Sequence, residues 1–242
     1  LSTWQISRWK QRLGFQLVIF SFQNIFKSYP LPFSWIEQRN IQELDFFIAG
    51  CQSVAEVWEK KGIPENKIKV LPQVGIDENH FLPMNKAQAR AKLDCPEKFL
   101  IGFAGRIVEE KGIQILFEAF AKAKIQESSA LLILGRGPYK LELMQLSKDL
   151  NISEHVHWRE GITHEGMGAA LNAMDLLVLP SLTRENWREQ FGHVLIEAMA
   201  CGVPCVGSDI DPINKVIANS GYVFPEGDSE SLAGILRNLA FS

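Results

Sequence analysis

From Gln16 onward, short continuous apolar runs alternate with segments whose apolar positions recur at helical spacing. The runs are LVIF (17–20), DFFIA (45–49), IKVL (68–71), LIGFAG (100–105), LLILG (131–135), VHW (156–158), LLVLP (176–180), PCVG (204–207) and YVF (222–224). Helical periodicity covers 52–61, 111–124, 138–150, 165–173, 191–201, 212–219 and 228–240, with a further helical stretch at 7–14. Such alternation predicts an α/β fold with parallel sheets. Uninterrupted apolar runs predict strands buried on both faces.

The segment PQVGIDENHFLPMN (72–85) breaks the rhythm with two prolines, a glycine and no periodicity, and reads as a linker. This gives a partial domain over 1–72, a linker over 73–85 and a second domain over 86–242. Six strand–helix units between 99 and 240 suffice for one nearly complete, Rossmann-like doubly wound domain. The three strands before the linker are too few for a domain and read as the back half of another one. The sequence opens at Leu1 inside a helical pattern and stops at Ser242 just past a helix, so a fragment cut at both ends is expected.

Ligands of open α/β sheets bind beyond the carboxyl ends of the strands, where helix N-termini present free N–H groups. Three turns of the second domain carry suitable chemistry. In GFAGRIVEEKG (102–112) the strand ends at Gly105, Arg106 follows at once, and Lys111 opens the next helix. Two cations there suit an anion that the helix dipole already favours. The alternative is a surface cluster of Arg106 and Lys111 with Glu109 and Glu110. In LGRGPY (134–139), Gly135 either lets a ligand approach the backbone or makes a tight turn. In REQFGHVLIEAMACGVP (188–204), Glu189 stands at the entrance of an apolar helix and Glu197 inside it. A buried Glu requires a partner, so Glu197 must be satisfied by protein or by ligand.

A formal net charge of −3 leaves no electrostatic footprint for nucleic acid. Cys51, Cys95, Cys201 and Cys205 form no C-x-x-C pair, which suits buried thiols in a reducing cytosol rather than zinc or disulfides. No apolar run reaches the roughly 18 residues of a membrane span. Asp209-Ile210-Asp211 is a D-x-D in a turn, and His155 and His157 alternate on a strand without a third ligand. His80 and His164 fall at element edges and are given no role. The helix at 7–14 sets Trp9 and Leu13 among Arg8, Lys10 and Arg12, either for contact with anionic lipid or as a solvated face.

The tracts GRIVEEKG (105–112), LGRGPYKLELMQLSKDLNI (134–152), MDLLVLPS (174–181), EQFGHVLIEAMACGVPCVGSD (189–209) and GYVFPEGD (221–228) resemble family 4 retaining glycosyltransferases of the two-domain GT-B fold. The E-x7-E pair formed by Glu189 and Glu197, with Phe191-Gly192 between, is the most specific of them. The resemblance implies a donor site for a nucleotide-diphosphate sugar in the second domain, without a metal or other cofactor. A glycan, lipid or small-molecule acceptor would sit on the first domain's side. It implies that Glu189 contacts the sugar hydroxyls, Glu197 the ribose hydroxyls, and Arg106 with Lys111 the diphosphate. Gly105, Gly135, Gln190, Phe191 and Gly192 would line the donor. The sequence departs from the family in three places. Gln23 and Asn24 stand where many members carry His, Gln190 where Gly is common, and IDPINK (210–215) lacks the usual Gly and Pro-Glu. Within the same fold, an epimerase would want acid–base residues where Gln23 stands. A non-catalytic homologue would lack Arg106, Lys111 or Glu189. A glycosidase would place two carboxylates across a scissile bond rather than along one helix start.

Overall fold

The computed structural model describes residues 2–71, 75–96 and 99–241. Pro72, Gln73 and Val74, part of the span read as a linker, lie outside the described residues. The chain divides into two units, Leu1–Gly75 with Asn186–Phe191, and Ile76–Glu185 with Gly192–Ser242.

The first unit runs α1 (Ser2–Leu13), β1 (Val18–Ser21), α2 (Phe33–Glu43), β2 (Phe46–Ala49), α3 (Gln52–Lys60) and β3 (Ile68–Val70). Its sheet is parallel in the order β1-β2-β3, with Val18 opposite Phe46 and Phe47 opposite Ile68. Phe47, Val54 and Leu44 centre a small core. Burial on both faces fails here: β1 leaves Val18 51% exposed, and Phe20 and Phe46 are exposed too. With β2 as the central strand, β1 and β3 are edges of a three-stranded sheet. Helix α2 has no counterpart among the helices expected from periodicity, because Ile41 is its only buried residue and supplies no apolar stripe. The buried Lys61 ammonium pairs with Glu37 and sits 5.0–5.6 Å from the ring centroids of Trp58, Tyr29 and Phe26. It thereby pins the turn after β1 onto α2 and α3.

The second unit runs α4 (Lys86–Leu93), β4 (Phe99–Ala104), α5 (Ile113–Ala123), β5 (Ser129–Leu134), α6 (Lys140–Asp149), β6 (Val156–Arg159), α7 (His164–Asn172), β7 (Leu176–Leu179), α8 (His193–Ala200), β8 (Cys205–Ser208), α9 (Ile213–Ile217), β9 (Tyr222–Phe224) and α10 (Ser229–Ala240). All six strands are parallel, in the order β6-β5-β4-β7-β8-β9. β5, β7 and β8 are buried throughout, as continuous apolar runs require. Helix α5 turns Ile113, Leu116, Phe117 and Phe120 inward at i, i+3, i+4 and i+7. Asp228 caps α10 by accepting from the backbone N–H groups of Glu230 and Ser231.

At the amino ends of β4 and β7 one carboxylate does the joining. Asp175 accepts from the Leu100 N–H at 2.6 Å and from Lys86 Nζ at 2.7 Å, and it pairs with Arg90. Helix α4, also unexpected from periodicity, is held there by charge. Only Ala89 of its eight residues is buried.

Candidate functional site

Strand order reverses between β4 and β7, so the crevice of this doubly wound sheet opens where those two strands end. β4 ends into Gly105-Arg106 and β7 into Pro180-Ser181. The turns are bound together through backbone atoms. Gly105 N–H donates to the Leu134 carbonyl (2.9 Å), Ile107 N–H to that of Arg136 (2.9 Å) and Leu182 N–H to that of Glu110 (2.8 Å). Glycines make this closeness possible. A Cβ at Gly135 (φ +142°) would lie 1.8 Å from the Gly105 carbonyl oxygen, and one at Gly112 (φ +68°) 1.8 Å from that of Pro180. Gly135 thus makes its close approach to another turn of the chain.

Arg106 projects from this seam as an exposed side chain, and half-buried Lys111 ends a 3₁₀ turn (Glu109–Lys111) immediately before Gly112 and α5. The surface cluster considered from sequence does not form around Arg106. Glu109 pairs with Arg184 instead, at 2.9 Å. Arg136, unsignalled in the sequence, is tied to the turn that carries Arg106 by the Ile107–Arg136 backbone bond. Among the described residues, no carboxylate forms an ion pair with either Arg106 or Arg136.

Helix α8 starts after Gly192, a left-handed residue (φ +76°) packed against Leu179, the last residue of β7. Its N-cap residue, Gly192, has no side chain with which to cap the first turn. Leu195 and Ala198 point into the core, and Glu197 lies beside them, half-buried. Burial pushes the Glu197 carboxyl above the usual range, and the charges of His193 and His164 pull against that shift. His164, given no role from sequence, therefore belongs to the electrostatic surroundings of Glu197. Arg106, Lys111, Gly135, Gly192 and Glu197 all lie in the second unit, the first four on loops or turns that follow carboxyl ends of its strands and Glu197 in the body of α8. Glu189, Gln190 and Phe191 cluster with the first unit. Glu189 is 8% exposed and Gln190 is exposed.

The raised Glu197 carboxyl has a testable consequence. A group whose folded pKa exceeds its unfolded value contributes stability that is full below the unfolded pKa and lost as pH rises through the folded one. Near neutral pH the ionised side chain then costs stability in the absence of ligand, and Glu197→Gln should raise Tm by about 1–3 °C. At about pH 4, where the carboxyl is largely protonated in both states, the gain should vanish. Thermal denaturation at the two pH values checks this. A lower Tm at neutral pH would mean that the carboxylate is satisfied within the protein.

Other candidates have local partners. Asp209 accepts from Asn214 (2.8 Å) and Asp211 pairs with Lys215 (3.0 Å). His80 binds Asp77 (2.8 Å), and the His155 ring faces Phe120. All four cysteines are free and buried, and burial pushes the Cys205 thiol up to about 12. Among the described residues, no helix is long and apolar enough to cross a membrane.

The sequence pattern of the family described as glycosyl transferases group 1 matches residues 85–240. N-acetyl-alpha-D-glucosaminyl L-malate synthase of Bacillus anthracis is 32% identical over 163 residues, covering 65% of this chain and 40% of that protein. D-inositol 3-phosphate glycosyltransferase of Stackebrandtia nassauensis is 28% identical over 227 residues, covering 87% of this chain and 50% of that protein. The chain thus spans about half the length of the curated relatives it matches. The crystal structure of Anabaena HepE in complex with UDP superposes with a TM-score of 0.83 at 20% identity, over 98% of this chain and 66% of that one. At that identity the likeness speaks for the fold, which is GT-B. Built on this fold and matched over most of its length, the chain belongs to the glycosyl transferases group 1 family.

Proposed function

We propose that this chain is the donor-binding part, with a portion of the acceptor side, of a retaining glycosyltransferase that moves a hexose-type sugar from a nucleotide-diphosphate donor to a glycan, lipid or small-molecule acceptor. The observation that carries the reading is the placement of Arg106 and Lys111 on the turn that leaves β4 at the switch point, in a chain of this family. In the reaction, the bond between the anomeric carbon and the diphosphate oxygen breaks, and the electron pair leaves with the phosphate. Arg106, Lys111 and the N–H groups opening α5 lower the energy of that developing charge. The acceptor hydroxyl forms the new bond on the face the phosphate leaves, and its proton passes to a leaving phosphate oxygen. No protein base is required for that transfer, in keeping with amide side chains at Gln23 and Asn24. Glu197 holds the ribose hydroxyls, and Glu189 the sugar hydroxyls.

Titration of the full-length protein against UDP-glucose, UDP-N-acetylglucosamine and GDP-mannose tests this reading, with saturable binding of at least one expected. No binding of any nucleotide sugar, by a folded protein, would overturn it. Donor turnover should stay within about twofold in EDTA, since the cations occupy the place of a divalent ion. Abolition by chelator with rescue by manganese would move the role to Asp209 and Asp211.

The partner side of the proposal includes contact with a membrane surface through the first unit, with the protein in the cytosol. Trp9, Leu13 and Trp35 are exposed on α1 and α2, and Arg8 and Arg12 stack on Trp4 and Trp9. Aromatic rings beside cations suit the headgroup region. Co-sedimentation with phosphatidylglycerol vesicles, lost on Trp9→Ala with Trp35→Ala, supports the contact. Equal recovery without vesicles refutes it.

A further inference from the structure

The first unit contains a buried polar contact that the proposed mechanism does not use. Asn24 is 5% exposed, and its Nδ2 donates to the backbone carbonyl of Glu189 at 2.7 Å, across 165 positions of sequence. The turn presenting it is fixed on both sides. Gln23 N–H donates to Ser21 Oγ (3.0 Å) and Gln23 Nε2 to the Ile25 carbonyl (3.2 Å), while Lys61 holds Phe26 and Tyr29. The receiving loop is the opposite kind of structure. Residues 188–192 lie outside any helix or strand. Residues Asn186–Phe191 pack with the first unit although both flanks belong to the second.

We infer that Asn24 is a positioning residue: its amide fixes the backbone at Glu189, so that the Glu189 carboxylate meets the donor sugar in one orientation. The inference rests on the sugar-facing role proposed for Glu189. A buried primary amide suits the task because it offers N–H donors, carries no charge and has only two side-chain torsions to restrain. Removing it leaves a buried carbonyl with one donor fewer, and the loop gains freedom where the reaction needs it fixed.

Hydrogen exchange and kinetics on the full-length protein test this together. In Asn24→Ala, exchange of the backbone amides at 188–191 should quicken by about fivefold to tenfold, while amides of β4 and β5 stay at parental rates. With whichever of UDP-glucose, UDP-N-acetylglucosamine and GDP-mannose is turned over fastest, kcat should fall by about fivefold to twentyfold with KM within about twofold. In a Glu189→Gln background the same substitution should cost less than about twofold more, because the carboxylate it positions is gone. Asn24→Asp keeps the shape but cannot donate when ionised, so its kcat relative to the parent should recover as pH falls and the introduced carboxyl protonates. Parental exchange at 188–191 in Asn24→Ala overturns the inference, as does a full multiplicative loss in the Glu189→Gln background. Parental kcat in Glu189→Gln alone would instead remove the sugar-facing reading, with the exchange data still reporting whether Asn24 fixes the loop.

Discussion

Lys111→Ala is expected to lower kcat/KM of the full-length protein by about 10²–10³-fold, the usual consequence of removing one preorganised charge from a developing anion. Lys111 does not hang from a mobile loop. Its 3₁₀ turn closes through the Lys111 N–H to the Val108 carbonyl (3.1 Å), and the next residue is wedged against Pro180. The cation is therefore held in place before the donor arrives. On the proposed reading the diphosphate is bound first and gains charge later, so both KM and kcat should suffer. Glu197→Gln should act differently, raising KM by about tenfold to a hundredfold, since the charge-assisted bond to ribose proposed for it would be made equally in ground and transition states. Glu189→Gln should lower kcat by a similar factor, because the sugar contacts proposed for it would change as positive charge builds at the anomeric carbon. Steady-state kinetics with saturating acceptor separate the three. A fall in kcat alone for Glu197→Gln, with a rise in KM alone for Glu189→Gln, would reverse the two carboxylate assignments.

The largest loss of stability is expected from Gly135→Ala. The added methyl carbon would meet a backbone oxygen at 1.8 Å, and φ is +142°, so no change of rotamer relieves either problem. Overpacking and backbone strain of this kind each cost about 1–3 kcal/mol. At about 2–4 °C per kcal/mol for a chain of this size, Tm should fall by roughly 5–20 °C. The turn after β4 must shift to make room, so nucleotide-sugar affinity should fall too. Gly161→Ala is the matched control: φ is +71°, but nothing lies within 4 Å of the new methyl. It should cost only about 1–2 kcal/mol. A Gly135→Ala protein melting within a degree or two of the parent would show that the seam between the turns is slack.

The strands of the second unit were legible because sheets covered on both faces make continuous apolar runs, and β5, β7 and β8 are such runs. The half-burial of Glu197 was legible for the opposite reason, as a carboxylate out of place among Val, Leu, Ile and Met. Helices α2 and α4 were not, since each buries a single residue and is held by groups far away in sequence, α4 by Asp175. Distance along the chain also hid the polar contacts. Glu109 has Arg106 and Lys111 as near neighbours in sequence, yet its partner is Arg184, 75 positions away. Nothing in the tract QNIF announces that Asn24 reaches Glu189.

Asp175 bonds the start of β4 to the start of β7, and the same two strands end, a few residues later, at Arg106 and Pro180. On the proposed reading, one pair of strands therefore has a mechanical pole and a chemical pole. Loss of the Asp175 carboxylate at the first should register as melting, and loss of an exposed side chain such as Arg106 at the second as lost turnover. A scaffold divided in this way can change what it recognises, by replacing exposed side chains such as Arg106 or Arg136, while the ties that keep it folded stay untouched.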